Sequence, residues 1–172
     1  MNLILTTPRL YLRELTPSDY LSLCAILQDP RVMYAWEHTY TDDEVRENWL
    51  NDQLLRYKTD GHALWPVILR GTDEFIGICG IKNQTLDDKP IFELGYLFNH
   101  SHWHKGYAAE AAENCIEYAF RHGIGEVLAL IRDNNTASIN VAERSGMTLD
   151  GSTVKHYRGI DMPHLIYSKR KK

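Results

Sequence analysis

Apolar positions recur along this chain at two spacings, and the change from one to the other lays out its elements. Leu10, Leu12 and Glu14 share one face of an extended run from Leu3 to Glu14, read as a strand interrupted at Pro8. Thr16-Pro17-Ser18-Asp19 puts a proline near a first helical turn. Tyr20, Leu23, Cys24 and Leu27 follow at helical spacing, and Asp29-Pro30 is expected to stop that helix, because the residue before a proline is pushed out of helical geometry. Residues 31–40 are aromatic-rich and irregular. Thr41-Asp42-Asp43-Glu44 has the form of a capping box and predicts a second helix to about Lys58, with Trp49 and Leu50 inward.

A run of strands comes next. His62 to Leu69, Glu74 to Lys82 and Ile91 to Phe98 are separated by a turn at Gly71-Thr72-Asp73 and a polar turn at Gln84 to Lys89. Turns this short imply an antiparallel meander. The longest helix is predicted from Gly106 to about His122, with Ala108, Ala111, Ala112, Cys115, Ile116, Ala119 and Phe120 as its apolar stripe and Gly123 as its C-cap. Val127 to Ile131 reads as a short buried strand. Asn135 caps a helix that ends at Gly146, and two strands, about Met147 to Tyr157 and Met162 to Lys169, close the chain. The predicted order is β-α-α-β-β-β-α-β-α-β-β, one α+β domain over residues 1–172.

Composition narrows the functional classes. Nineteen basic residues face 23 acidic ones, a net charge of −4, so no overall field favours nucleic acid. The basic run Lys169-Arg170-Lys171-Lys172 is read as a solvated tail. Three scattered cysteines form neither a disulfide framework nor a zinc pair, and Cys79 and Cys115 read as buried small hydrophobes. No stretch matches a signal-peptide core or a bilayer span, so the expectation is a cytoplasmic protein without a membrane partner.

One junction carries candidate chemistry. A strand ending at Phe98 feeds a loop, and the loop feeds the longest helix at Gly106. Orphan N–H groups and a partial positive charge make a helix start an anion site, and glycine lets backbone approach a phosphate. A glycine there is equally the mark of a plain structural loop. The chain contains neither Gly-x-x-x-x-Gly-Lys-Ser/Thr nor a Gly-x-Gly-x-x-Gly after its first strand. His100-x-His102-x-His104 could suggest a metal, but it sits in this turn without a nearby cysteine or a second helix-spaced pair, and no metal is expected.

The segment Trp103-His104-Lys105-Gly106-Tyr107-Ala108 resembles the Gln/Arg-x-x-Gly-x-Gly/Ala signature of the GNAT acetyltransferase superfamily. Gly106 and Ala108 match, and Trp103 with Lys-Gly-Tyr-Ala-x-Glu-Ala is similar to the RimJ/RimL-type branch of ribosomal-protein N-acetyltransferases. His104 stands where that branch usually has glycine. Asn135-x-x-Ser138, Glu143-Arg144-Ser145-Gly146-Met147 and the opening Thr7-Pro8-Arg9-Leu10-x-Leu12-Arg13 extend the likeness over nearly the whole chain.

The resemblance implies a GNAT acyltransferase fold, a mixed, mostly antiparallel sheet flanked by helices and splayed between its fourth and fifth strands. It implies acetyl-CoA as cosubstrate and direct attack by a primary amine on the thioester. Main-chain N–H groups around His104, Lys105, Gly106, Tyr107 and Ala108 would take the pyrophosphate. The main chain at Leu97, Phe98 and Asn99 would bond the pantetheine arm, with an N–H near Leu97 on the thioester carbonyl.

Glu93 is the candidate base. An apolar strand would raise its pKa, and the alternative is a solvent-facing or ion-paired strand carboxylate. The tyrosine many members use as acid would fall at Ala142, so the resemblance points to Ser138 as the thiolate's donor. Asn135 would hold the pantetheine amide or serve as a plain N-cap. Tyr34, Trp36, His38 and Tyr40 would line the acceptor site. The acceptor is expected to be a protein or peptide N-terminal amine. A small-molecule amine (polyamine, antibiotic or metabolite), a non-catalytic acetyl-CoA sensor, and a homodimer all stay open.

Overall fold

The computed structural model describes residues 2–172. Eight strands form one sheet in the order β1-β2-β3-β4-β5-β6-β8-β7. They are β1 (Leu3–Thr6), β2 (Leu10–Arg13), β3 (Leu64–Leu69), β4 (Glu74–Leu86), β5 (Lys89–Phe98), β6 (Glu126–Arg132), β7 (Thr148–Tyr157) and β8 (Ile160–Arg170). The helices are α1 (Tyr20–Leu27), α2 (Pro30–Met33), α3 (Asn51–Thr59), α4 (Tyr107–Arg121) and α5 (Thr136–Arg144). All neighbouring strands are antiparallel except β5 and β6. The architecture is the expected α+β one, with three differences along the chain.

The opening run is a hairpin rather than one interrupted strand. Thr7-Pro8-Arg9 turns the chain back, so Leu12 pairs with Leu5. Proline lacks an N–H for the ladder, and here it sits in the turn itself. The extra strand shifts the count, and the splayed fourth and fifth strands of the sequence reading are β5 and β6. The β4–β5 turn is also tighter than Gln84 to Lys89: Leu86 pairs with Lys89, and Asp87 and Asp88 make a two-residue turn at φ 48° and 59°. Such hairpins need left-handed residues, which Asp tolerates. Finally, the irregular segment contains α2, and the second predicted helix opens as a π-helical stretch, Glu44–Leu50, before α3.

Two apolar clusters cover the two faces of the sheet. On one face α4 presents Ala111, Ala112, Cys115, Ile116, Ala119 and Phe120, all buried, as its stripe requires. On the other, α1, α2 and the π-helical stretch bring Leu23, Leu27, Met33, Val45 and Leu50 against Leu64, Ile78 and Leu97. Cys79 and Cys115 are buried, and burial pushes the Cys79 thiol up.

The C-terminal basic run is exposed from Arg170 onward but is partly tied to the fold. Lys169 and Arg170 lie in β8, and Lys169 Nζ donates to Ser145 O (2.9 Å) at the end of α5. Lys171 Nζ donates to Phe120 O (2.8 Å) near the end of α4. Both ammoniums meet carbonyls at the negative end of a helix. Among the described residues no helix is long and apolar enough to cross a membrane.

Candidate active site

The sheet splits where its one parallel pair should run. β5 and β6 are bridged only at Glu93–Leu128. Past that point β5 continues to Phe98 along β4 without β6 beside it. The Asn99 N–H donates to Ile76 O on β4 (2.9 Å). Amide directions alternate along a strand, so Leu97 also addresses β4 and the N–H groups of Tyr96 and Phe98 face the gap. Asn99 and Leu97 therefore do not offer the free amides the sequence suggested; Tyr96 and Phe98 do. The Phe98 carbonyl is taken by Trp103 Nε1 (2.9 Å).

After β5, Asn99 Oδ1 accepts from Ser101 N (3.1 Å) and Ser101 Oγ (2.9 Å), closing a single 3-10 turn over His100–His102. His100 packs on the Trp103 ring, and His102 Nε2 lies 3.5 Å from Glu74. His104 and Gly106 then take φ of 62° and 79°. α4 starts without a side-chain cap, and its first intrahelical bond runs from Glu110 N to Gly106 O (3.1 Å). The N–H groups of Tyr107, Ala108 and Ala109 have no main-chain acceptor among the described residues. A Cβ at Gly106 would meet only Arg9 Nη2, at 3.4 Å, so open space adjoins these donors. This donor set, at the positive end of a long helix, suits a diphosphate.

Residues from the N-terminal hairpin hold that turn. Arg9 Nε bonds Glu110 Oε2 (2.6 Å), Arg9 N and Thr7 Oγ1 bond Glu110 Oε1 (3.0 and 2.6 Å), and Arg9 Nη1 donates to Lys105 O (2.9 Å). The Arg9 guanidinium also lies 4.6 Å over the Tyr107 ring. Burial would push the Glu110 carboxyl up, but Thr7 and Arg9 outweigh it and hold it below its ordinary value. Arg9→Met keeps the packed stem and removes the fork. It should lower stability by about 1 kcal/mol, since Arg9 is partly exposed, and weaken coenzyme A binding by calorimetry. Unchanged affinity would show that the turn needs no brace.

Two cavities meet at the split. The smaller, about 200 Å³, lies before the first turn of α4 and is lined by Phe98, Trp103, His104, Gly106, Ala108 and Arg144 among others. The larger, about 520 Å³, is bounded by Glu93 to Leu97 of β5 and Ala129 to Arg132 of β6. Trp36, Tyr96, Leu97, Asn135 and Ser138 line both. At their junction Asn135 Oδ1 accepts from Ser138 N (3.1 Å), capping α5, and from Tyr34 OH (2.7 Å). Asn135 is thus an N-cap whose side-chain oxygen is already engaged. Tyr96 OH donates to Ser138 O (2.7 Å), and burial raises that phenol. Ser138 Oγ has no hydrogen bond among the described residues.

The predicted aromatic lining divides. Trp36 and Tyr40 reach the larger cavity; burial and the neighbouring Tyr157 push the Tyr40 phenol up to about 12. Tyr34 lines the smaller cavity instead. His38 lines neither and packs edge-on against Tyr40, 5.2 Å between centroids. Lys105 is exposed and contributes its carbonyl to Arg9.

Glu93 differs from expectation in its ionisation. It is buried, which pushes its carboxyl up, but Lys82 Nζ at 3.3 Å and Lys155 Nζ at 3.9 Å outweigh burial and hold the pKa below its ordinary value. Neither lysine carries a signal in the sequence that ties it to Glu93. Lys82 stands opposite Glu93 in the β4–β5 ladder, and Lys155 comes from β7, so only pairing reveals them. Among the described residues no cluster of three His, Cys, Asp or Glu side chains suits a metal ion.

Comparison with known proteins follows the same lines. Residues 9–148 match the family model described as an acetyltransferase (GNAT) domain. The chain is 36% identical to YkkB of Bacillus subtilis over 168 residues, covering 96% of this chain and 95% of YkkB. It is 31% identical over 149 residues to YnaD of the same organism, described as an uncharacterized N-acetyltransferase, covering 86% and 84%. Its fold is similar to that of RimL, a ribosomal L7/L12 alpha-N-protein acetyltransferase solved with coenzyme A, with a TM-score of 0.81 at 18% identity and 98% of each chain covered.

Proposed function

The chain belongs to the GNAT acetyltransferase family, and on that premise we propose that it moves the acetyl group of acetyl-CoA directly to the amino terminus of a peptide or protein. The observation that carries this reading is the junction of two cavities at a half-split sheet, with an uncapped helix start on one side and a buried carboxylate on the other. Acetyl-CoA, when bound, supplies an acyl thioester whose C–S bond is exchanged for a C–N bond to the amine.

The residues divide the work. The N–H groups at the start of α4 would hold the diphosphate, and the Tyr96 and Phe98 amides would bond the arm in the gap, with Phe98 N–H a donor for the carbonyl. An α-amine with a pKa near ~7.8 must lose its proton to attack. Glu93, ionised at neutral pH, would accept it directly or through a water. Ser138 Oγ, free at the junction, would give a proton to the departing sulfur. The peptide reading draws support from the breadth of the larger cavity and its aromatic walls at Trp36 and Tyr40.

The test is a thermal melt with acetyl-CoA, followed by free-thiol release with N-terminal peptides. A ligand at a hundredfold excess over its dissociation constant adds about 2.7 kcal/mol. For a chain of this size that raises Tm by about 5–10 °C. A melt unchanged by millimolar acetyl-CoA would overturn the donor site, and binding without thiol release would overturn transfer.

A further inference from the structure

The charges around the larger cavity are unbalanced. Its lining holds one carboxylate, Glu93, and three basic side chains, Lys82, Arg132 and Lys155. Burial pushes the Lys155 ammonium below its ordinary pKa, with Glu93 opposing that and Lys82 adding to it, so a further anion beside it would restore its charge. Arg132 is answered from outside the lining by Glu37 (3.5 Å) and Asp133 (3.9 Å). The two lysines share Glu93, so one ammonium remains in surplus. Lys155 is the looser of the two. Its Nζ is 3.9 Å from Glu93 Oε1, beyond hydrogen-bond reach, and makes no hydrogen bond among the described residues. The side chain is only 35% exposed, so water compensates its three donors in part. The histidines do not reverse the sign. His164 is held below its ordinary pKa by burial, and His156 pairs with Asp161.

We propose that the acceptor is an amine that carries a carboxylate close to its amino group, and that Lys155 binds that carboxylate. This rests on the transferase reading above. The incoming anion supplies the missing negative charge, and the amine comes to lie near Glu93. A polyamine would do the reverse. It would bring two or more cations to a wall whose only carboxylate among the described residues is already shared by two lysines, and like charges placed together repel. The same chemistry has two sources: the α-carboxylate of a free amino acid, or an acidic side chain next to a peptide's amino terminus.

Matched acceptors separate these cases. Serine against serinamide tests the free α-carboxylate. Amidated Ser-Asp-Ala against amidated Ser-Asn-Ala tests the peptide, and spermidine tests the polycation. Thiol release gives kcat/KM, and calorimetry on the protein saturated with coenzyme A gives acceptor affinity. A charge-assisted contact predicts that one carboxylate member exceeds its amide partner by about tenfold or more. Lys155→Met should bring that ratio to within about twofold, mainly through KM, while coenzyme A affinity stays unchanged as a check on folding. Equal rates within both pairs, preference for spermidine, or a ratio that survives Lys155→Met would overturn the assignment while leaving transfer intact. Carboxylate-dependent binding without thiol release would sustain the assignment and overturn the transferase reading.

Discussion

Glu93→Gln should lower kcat/KM by about 10²–10⁴, the usual loss when a general base is removed. The substitution keeps the shape of the side chain and deletes the only carboxylate lining the larger cavity. The loss should be greatest at low pH, where the acceptor amine is protonated, and should shrink as free amine appears. Stability should respond in the opposite range. The folded-state pKa of Glu93 is depressed, so its ionisation stabilises the fold above the unfolded carboxylate pKa of about 4.3. That contribution is lost as pH falls through the folded value. At neutral pH the variant leaves Lys82 and Lys155 near each other and should melt earlier than the wild type; once pH falls below the folded-state value of Glu93 the two melting curves should converge. A pH–rate profile that overlays the wild type would remove Glu93 from the chemistry.

The second large effect is structural. In Gly80→Ala the new Cβ would lie 2.1 Å from Ala63 O and 3.0 Å from Leu64 Cα. Both are backbone atoms, so no side chain can swing aside. The segment they belong to is fixed: Tyr57 OH donates to Leu64 O, and Leu64 N donates to Gln53 Oε1 (3.1 Å). Overpacking of this kind costs about 1–3 kcal/mol, and the fixed backbone at Ala63–Leu64 puts the expectation at the upper end. Tm should fall by about 5–10 °C. Gly125→Ala is the control, because nothing lies within 4 Å of its Cβ and its φ is unrestricted. Equal melting of Gly80→Ala and the wild type would refute the contact.

What was legible in the chain was local. The stripe on α4, the glycine before it and the short turns of the meander are signals within a few residues, and they placed the donor turn and the order of strands. Pro8 was ambiguous, because a proline marks both an interruption and a turn, and only the Leu12–Leu5 pairing decides. The ionisation of Glu93 is not legible in sequence, because apolar neighbours along the chain say nothing of the lysines supplied by β4 and β7. The amide directions at Leu97 and Phe98 likewise depend on which residue of β5 bonds β4. Tyr34 and His38 are neighbours in sequence, yet an irregular segment sends one to Asn135 and the other against Tyr40.

The brace between Arg9 and Glu110 joins residues 101 apart. Its consequence is temporal. A ribosome adding about 5–20 residues per second needs about 5–20 s to pass from one to the other. During that interval the N-terminal hairpin waits without its partner, and closing so long a loop carries an entropic cost that local helices do not bear. The turn before α4 therefore cannot be braced until well after the hairpin has been made. A nascent chain that has not yet delivered α4 holds the meander but lacks the helix start on which the proposed donor site depends.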